Sequence, residues 1–83
     1  MIDPEEGQRL EAEGWVWKQI TANVDTNLRA TFLAIIGEGN YRIHTSETVR
    51  DLQRGDFTRD VALVSPAGCI ALDAWAAQQG KPN

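Results

Sequence analysis

Apolar positions change their period along the chain, and each change marks an element. Asp3, Pro4, Glu5 and Glu6 open with a helix start: the Asp3 side chain can accept from the first free amides, Pro4 suits the first helical position, and Glu6 completes a capping box. Gly14 is a natural stop. The helix this predicts, over 4–13, has a poor apolar face built on Leu10 and Ala12, so it is expected to lie on the surface, lightly attached. From Trp15 the residues become aromatic and β-branched, with Trp15, Val16, Trp17, Ile20, Thr21 and Val24 running into the turn-prone Asp25, Thr26 and Asn27. This predicts a strand over about 15–22.

Residues 28–36 satisfy two templates almost equally. Leu28, Ala30, Phe32, Ala34 and Ile36 alternate as in a strand, whereas Leu28, Phe32 and Ile35 keep helical spacing. A helix here would be apolar on almost every face. Gly37, Glu38, Gly39 and Asn40, followed by the alternating Tyr41, Arg42, Ile43, His44 and Thr45, look like a hairpin return, so the strand is the preferred reading. On the helical reading Asp25 would be the cap and Gly37 the terminus.

Ser46 can cap a short helix over 46–54 that carries Val49 and Leu52 on one side and stops at Gly55, after which Val61, Ala62, Leu63 and Val64 form a brief buried strand. The last element has the clearest boundaries. Ser65 at the cap, Pro66 at the first helical position, and Gly80 followed by Pro82 bracket a helix over 66–79. Val64 can staple onto Cys69, and Ile70, Ala71, Ala74 and Trp75 are expected to face the sheet. The expected fold is therefore a small α+β domain: an antiparallel three-stranded sheet (about 15–22, 28–36, 41–45) with an N-terminal helix, a short helix 46–54, a brief strand 61–64 and a C-terminal helix 66–79. Residues 1–14 form an acidic helix and contact segment, and 15–83 a compact body.

Eighty-three residues leave room for one domain, and 42% hydrophobic with 24% charged residues is a globular composition that excludes disorder and fibrous structure. The uncharged run from Val61 to Leu72 is interrupted by Ser65, Pro66 and Gly68, far short of the roughly 20 apolar residues of a membrane span. The opening residues are acidic where a secretory signal would be basic, so a cytoplasmic protein is expected. The formal charge of −4 is concentrated: Asp3, Glu5, Glu6, Glu11 and Glu13 stand against Arg9 alone in residues 1–14, and the remainder is balanced. A duplex-binding protein normally presents a basic face. Here Arg42, Arg50, Arg54 and Arg59 are interleaved with Glu47, Asp51, Asp56 and Asp60, which reads as a solvated face laced with weak ion pairs.

Candidate chemistry is sparse. Cys69 is the single cysteine and His44 the single histidine, so neither a disulfide nor a zinc site is expected. A thiol near a helix N-terminus with His44 as its base would be a nucleophilic pair, but Cys69 lies among small and apolar residues and is read as core, and His44 as a solvent-facing strand residue. Gly37 and Gly39 lack the third glycine and the Lys-Ser/Thr of a phosphate loop. Asp51, Asp56, Asp60 and Asp73 lack calcium-loop spacing and are read as surface charges. No catalytic group, metal or cofactor is expected.

Val64, Ser65, Pro66, Ala67 and Gly68, with Ala71, Leu72 and Trp75 following, form a junction that is similar to the strand-to-helix ending of winged-helix regulators. That resemblance covers under a quarter of the chain and implies DNA binding. It also implies a recognition helix between Leu52 and Val61, where Gly55 and Asp56 leave too little room. In size and charge the chain is similar to small acidic bacteriophage proteins, including anti-CRISPR and other anti-defence proteins. The preferred expectation is a non-catalytic protein-interaction module, an inhibitor or adaptor, whose contact residues are Trp15, Trp17, Glu5, Glu6, Glu11 and Glu13. Its partner would be a protein, basic or nucleic-acid-processing, with a homodimer also allowed and neither nucleic acid nor membrane contacted directly. The alternative is the winged-helix-like regulator.

Overall fold

The last strand in the chain organises the sheet. The structure is a computed structural model that describes residues 1–80, so Pro82, read as part of the C-terminal stop, lies outside the described residues. The elements run α1 (Pro4–Ala12), β1 (Val16–Asn23), a 3-10 turn (Val24–Thr26), α2 (Leu28–Ile36), β2 (Tyr41–Val49), β3 (Phe57–Val64) and α3 (Pro66–Gln79). The strand order is β1-β3-β2, with β3 antiparallel to both neighbours. β1 and β2 therefore run parallel on the two edges, joined by the α2 crossover, with β3 inserted between them. The expected α+β class and antiparallel three-stranded sheet are observed.

Two elements differ from the expectation. Residues 28–36 form a helix and not the second strand. Its exposed positions include Ala30, Thr31 and Ala34, while Phe32, Leu33 and Ile36 pack inward, so the near-uniform apolar pattern does not require burial on every side. Asn27, in the left-handed region at φ 57°, turns the chain into α2; Asp25 lies in the 3-10 turn and is not its cap. Gly37, at φ 96°, ends the helix, so Gly37–Asn40 connects a helix to a strand and is no hairpin turn.

The second difference lies at 46–54. Ser46 caps no helix: β2 continues through Val49, and Ser46 sits opposite Asp60. The brief strand expected over 61–64 begins at Phe57, because pairing along both sides extends it to a full central strand. The hairpin between β2 and β3 is closed by Asp51, whose Oδ1 accepts the Gln53 and Arg54 amides at 2.9 and 3.0 Å, and by Gly55 at φ 84°. No helix forms between Leu52 and Val61.

Both capped helices occur as expected. Asp3 accepts from the Glu5 amide at 3.1 Å, and the Ser65 Oγ from the Gly68 amide at 3.0 Å. Leu63 and Val64 are adjacent in β3, so they point to opposite sheet faces, and both are fully buried. Val64 joins Ile20 and Ile36 under α2 and α3, with Phe32, Leu33, Tyr41, Cys69 and Leu72 around them. Leu63 joins Ile2 and Leu10 on the other face, with Trp15 against them. α1 lies on the surface as expected, with Gly7 and Leu10 its buried residues, and Ile2, ahead of the helix, adds to Leu10 apolar surface that the helix alone lacks. On α3, Ala71 and Trp75 are half-buried, but Ala74 is exposed and Ile70 is 70% exposed: these two do not face the sheet.

Candidate protein-interaction surface

The face of the sheet that holds α1 is covered at one end only. β2 carries a bulge between Ile43 and Thr45, and the extra residue is His44. Its imidazole is half-buried on the α1 side, where the Nδ1 accepts the Ile2 main-chain N–H at 3.1 Å. Trp17 stands edge-on to that ring, with centroids 5.3 Å apart at 73°. His44 therefore does not face solvent as expected: alternation from Arg42 puts it on the α1 face, where Ile2 and Trp17 cover it.

Trp15 and Trp17 share this face, as their spacing required, but differ in environment. Trp15 is half-buried against Ile2, Leu10 and Leu63. Trp17 is 40% exposed. Beyond it, Gln19 and Thr21 of β1 and Thr45 and Glu47 of β2 are exposed, and Phe57, Arg59 and Val61 of β3 are half-buried. Glu47 and Arg59 pair across the strands at 2.6 Å.

The acidic residues of the first segment divide in the same way. Glu6 is half-buried and paired with Arg42 of β2, which ties α1 to the sheet. Glu5, Glu11 and Glu13 are exposed and make no ion pair among the described residues. Of the expected contact residues, Trp17, Glu5, Glu11 and Glu13 are open to a partner, while Trp15 and Glu6 hold the domain together.

The nucleophile and base candidates are on opposite faces. Cys69 packs in the cluster under α2 and α3, half-buried, with its Sγ 3.8 Å from the Val64 carbonyl, whereas His44 faces α1. The sheet separates them, so they form no pair. Among the described residues no three His, Cys, Asp or Glu side chains gather as a metal site, and no helix is long and apolar enough to cross a membrane.

Asp60, read with Asp51, Asp56 and Asp73 as a surface charge, is not one. It sits in the central strand, fully buried, with Arg29 of α2 across from it. Burial alone would push its carboxyl up; hydrogen bonds from Arg29 and Ser46, with the Arg29 charge, outweigh this and hold it below the usual carboxylate range. Nothing in the local sequence signals this burial, because Arg29 lies 31 residues away.

Two depressions open beside α2. One, of about 300 Å³, is lined by Gln19, Ile20, Thr21, Phe32 and Leu72 and is mainly apolar. The other, of about 210 Å³, is lined by Asn23, Val24, Asn27, Arg29, Ala30 and Thr58. Neither joins a nucleophile to a base. No protein-family model, curated protein or solved structure matches this chain.

Proposed function

We propose that the protein is a non-catalytic interaction module that acts in the cytoplasm as an inhibitor or adaptor and engages a basic protein partner. The carrying observation is the juxtaposition of a tryptophan left 40% open on a sheet face with an adjacent helical segment whose Glu5, Glu11 and Glu13 are exposed and make no ion pair among the described residues. Exposed tryptophan is enriched among residues that dominate binding energy, and surface carboxylates steer a basic partner toward it. Size and acidic charge support an origin among small bacteriophage or bacterial anti-defence proteins, and a nucleic-acid-processing enzyme would present the required basic surface.

The test is affinity capture from a host lysate with the tagged protein beside two variants, Trp17→Ala and Glu5→Gln/Glu11→Gln/Glu13→Gln. One stoichiometric protein retained by the parent and lost by the tryptophan variant supports the reading, with the triple variant weakening the complex most at low salt. Capture indifferent to both variants removes this surface. Recovery of DNA alone, or a gel shift on random duplex at physiological salt, favours a nucleic-acid-binding function instead.

A further inference from the structure

β1 is an edge strand whose outward backbone groups have no strand partner among the described residues. The Val24 amide continues its ladder inward, donating to the Asp56 carbonyl at 3.0 Å. Antiparallel partners exchange both bonds at alternate residues, so Ala22, Ile20 and Lys18 also turn their backbone groups to β3. Trp17, Gln19, Thr21 and Asn23 turn theirs to the open edge, and all four are exposed. The opposite edge, β2, is interrupted by its bulge. β1 has no bulge and no proline, and Lys18, half-buried, is the one edge-blunting charge it carries.

We propose that β1 pairs antiparallel with β1 of a second copy of this chain, about a two-fold axis at Ile20, to make one continuous sheet. The register follows from the side chains. A two-fold pairing keeps each side chain on its own face only when a single residue sits on the axis. Centring on Lys18 opposes two ammonium groups. Centring on Gln19 sets Lys18 against Ile20 and leaves Val24 opposite Gly14. Centring on Ile20 sets Lys18 against Ala22 and brings Val16 of one copy against Val24 of the other. Those two valines are 47% and 50% exposed in the single chain, and this register covers each with the other.

On the outer face the same register places Gln19 against Thr21 and Trp17 against Asn23, the residues whose backbone groups point outward. The Asn23 carbonyl already accepts the Thr26 hydroxyl at 2.8 Å, so at that pair the Asn23 amide donates to the Trp17 carbonyl. The apolar depression lined by Ile20, Phe32 and Leu72 opens on this edge. The axis sets the second copy's Ile20 at its mouth and joins the two depressions into one apolar layer. Trp17 keeps its side chain on the outer face beside the second copy's Asn23, so this association borders the partner surface proposed above without covering that face.

Sedimentation of the full chain across a dilution series is expected to show twice the chain mass at high concentration, dissociating on dilution. Thr21→Pro removes an outward amide without touching the β3 ladder and should give the one-chain mass with an unchanged circular dichroism spectrum. Should that variant unfold, Val16→Cys/Val24→Cys in a Cys69→Ser background decides. In this register Val16 faces Val24, the first residue past β1 in the other copy, whose amide still donates to the β3 side, so mild oxidation should give a covalent dimer that Val16→Cys alone does not. A one-chain mass at every concentration, a dimer unaffected in a folded Thr21→Pro, or equal cross-linking by the single cysteine overturns the proposal.

Discussion

Arg29 grips Asp60 with two bonds, Nε to Oδ2 at 2.7 Å and a terminal nitrogen to Oδ1 at 3.3 Å, and so pins α2 to the central strand. The Asp60 side chain is fully buried while that of Arg29 is 40% exposed, so the two ends are unequal. Removing the arginine leaves a desolvated charge without its partner. Arg29→Leu is expected to cost about 2–4 kcal/mol, short of the largest losses seen for fully enclosed pairs because water reaches the arginine end. Arg29→Leu/Asp60→Leu should recover most of that loss, and urea unfolding of the single and double variants measures the coupling.

The same pair sets a pH dependence. A carboxyl held below its ordinary value of about 3.9 binds fewer protons in the folded state than in the unfolded state, so it stabilises the fold fully above that value. The contribution is lost as pH falls through the depressed folded value. Urea midpoints measured downward from pH 5 should therefore fall more steeply for the parent than for Arg29→Leu/Asp60→Leu.

Gly68 lies where α3 passes closest to the rest of the fold. A Cβ there would stand 2.8 Å from the Ile36 Cγ2, 2.8 Å from the Val64 Cγ1 and 3.2 Å from the Asn40 carbonyl oxygen. Alanine normally favours a helix over glycine by about 1 kcal/mol. Here overpacking against two core side chains and a backbone oxygen should reverse the sign, with Gly68→Ala destabilising by roughly 1–2 kcal/mol net in thermal or denaturant unfolding.

The two tryptophans separate stability from binding. Trp15→Ala removes a ring packed against Ile2, Leu10 and Leu63, and should cost about 3 kcal/mol, enough to lower the melting midpoint by many degrees. Trp17→Ala loses an edge contact to His44 and partial burial, a loss of about 1 kcal/mol, while weakening the partner complex about thirtyfold or more if Trp17 is its anchor. Melting curves and titration against the captured partner read the two effects independently.

What was legible in the sequence is what neighbouring residues encode. Asp3 with Pro4, and Ser65 with Pro66 and Gly68, satisfy helix-end amides within a few residues, so both capped helices could be placed from the chain alone. The shared face of Trp15 and Trp17 follows from strand alternation, and the acidity of the first segment from counting charges. Residues 28–36 were undecided locally, because a short apolar run fits either period; the pairing of β2 and β3 along their full length left them as the crossover and made them a helix. That pairing also drew Ser46 to Val49 into a strand. The covering of His44 by Ile2 and Trp17, and the burial of Asp60 beneath Arg29, belong to the tertiary structure alone. A charge can be buried only where a partner meets it, and here that partner arrives from an element 31 residues away that only the folded chain brings across the sheet.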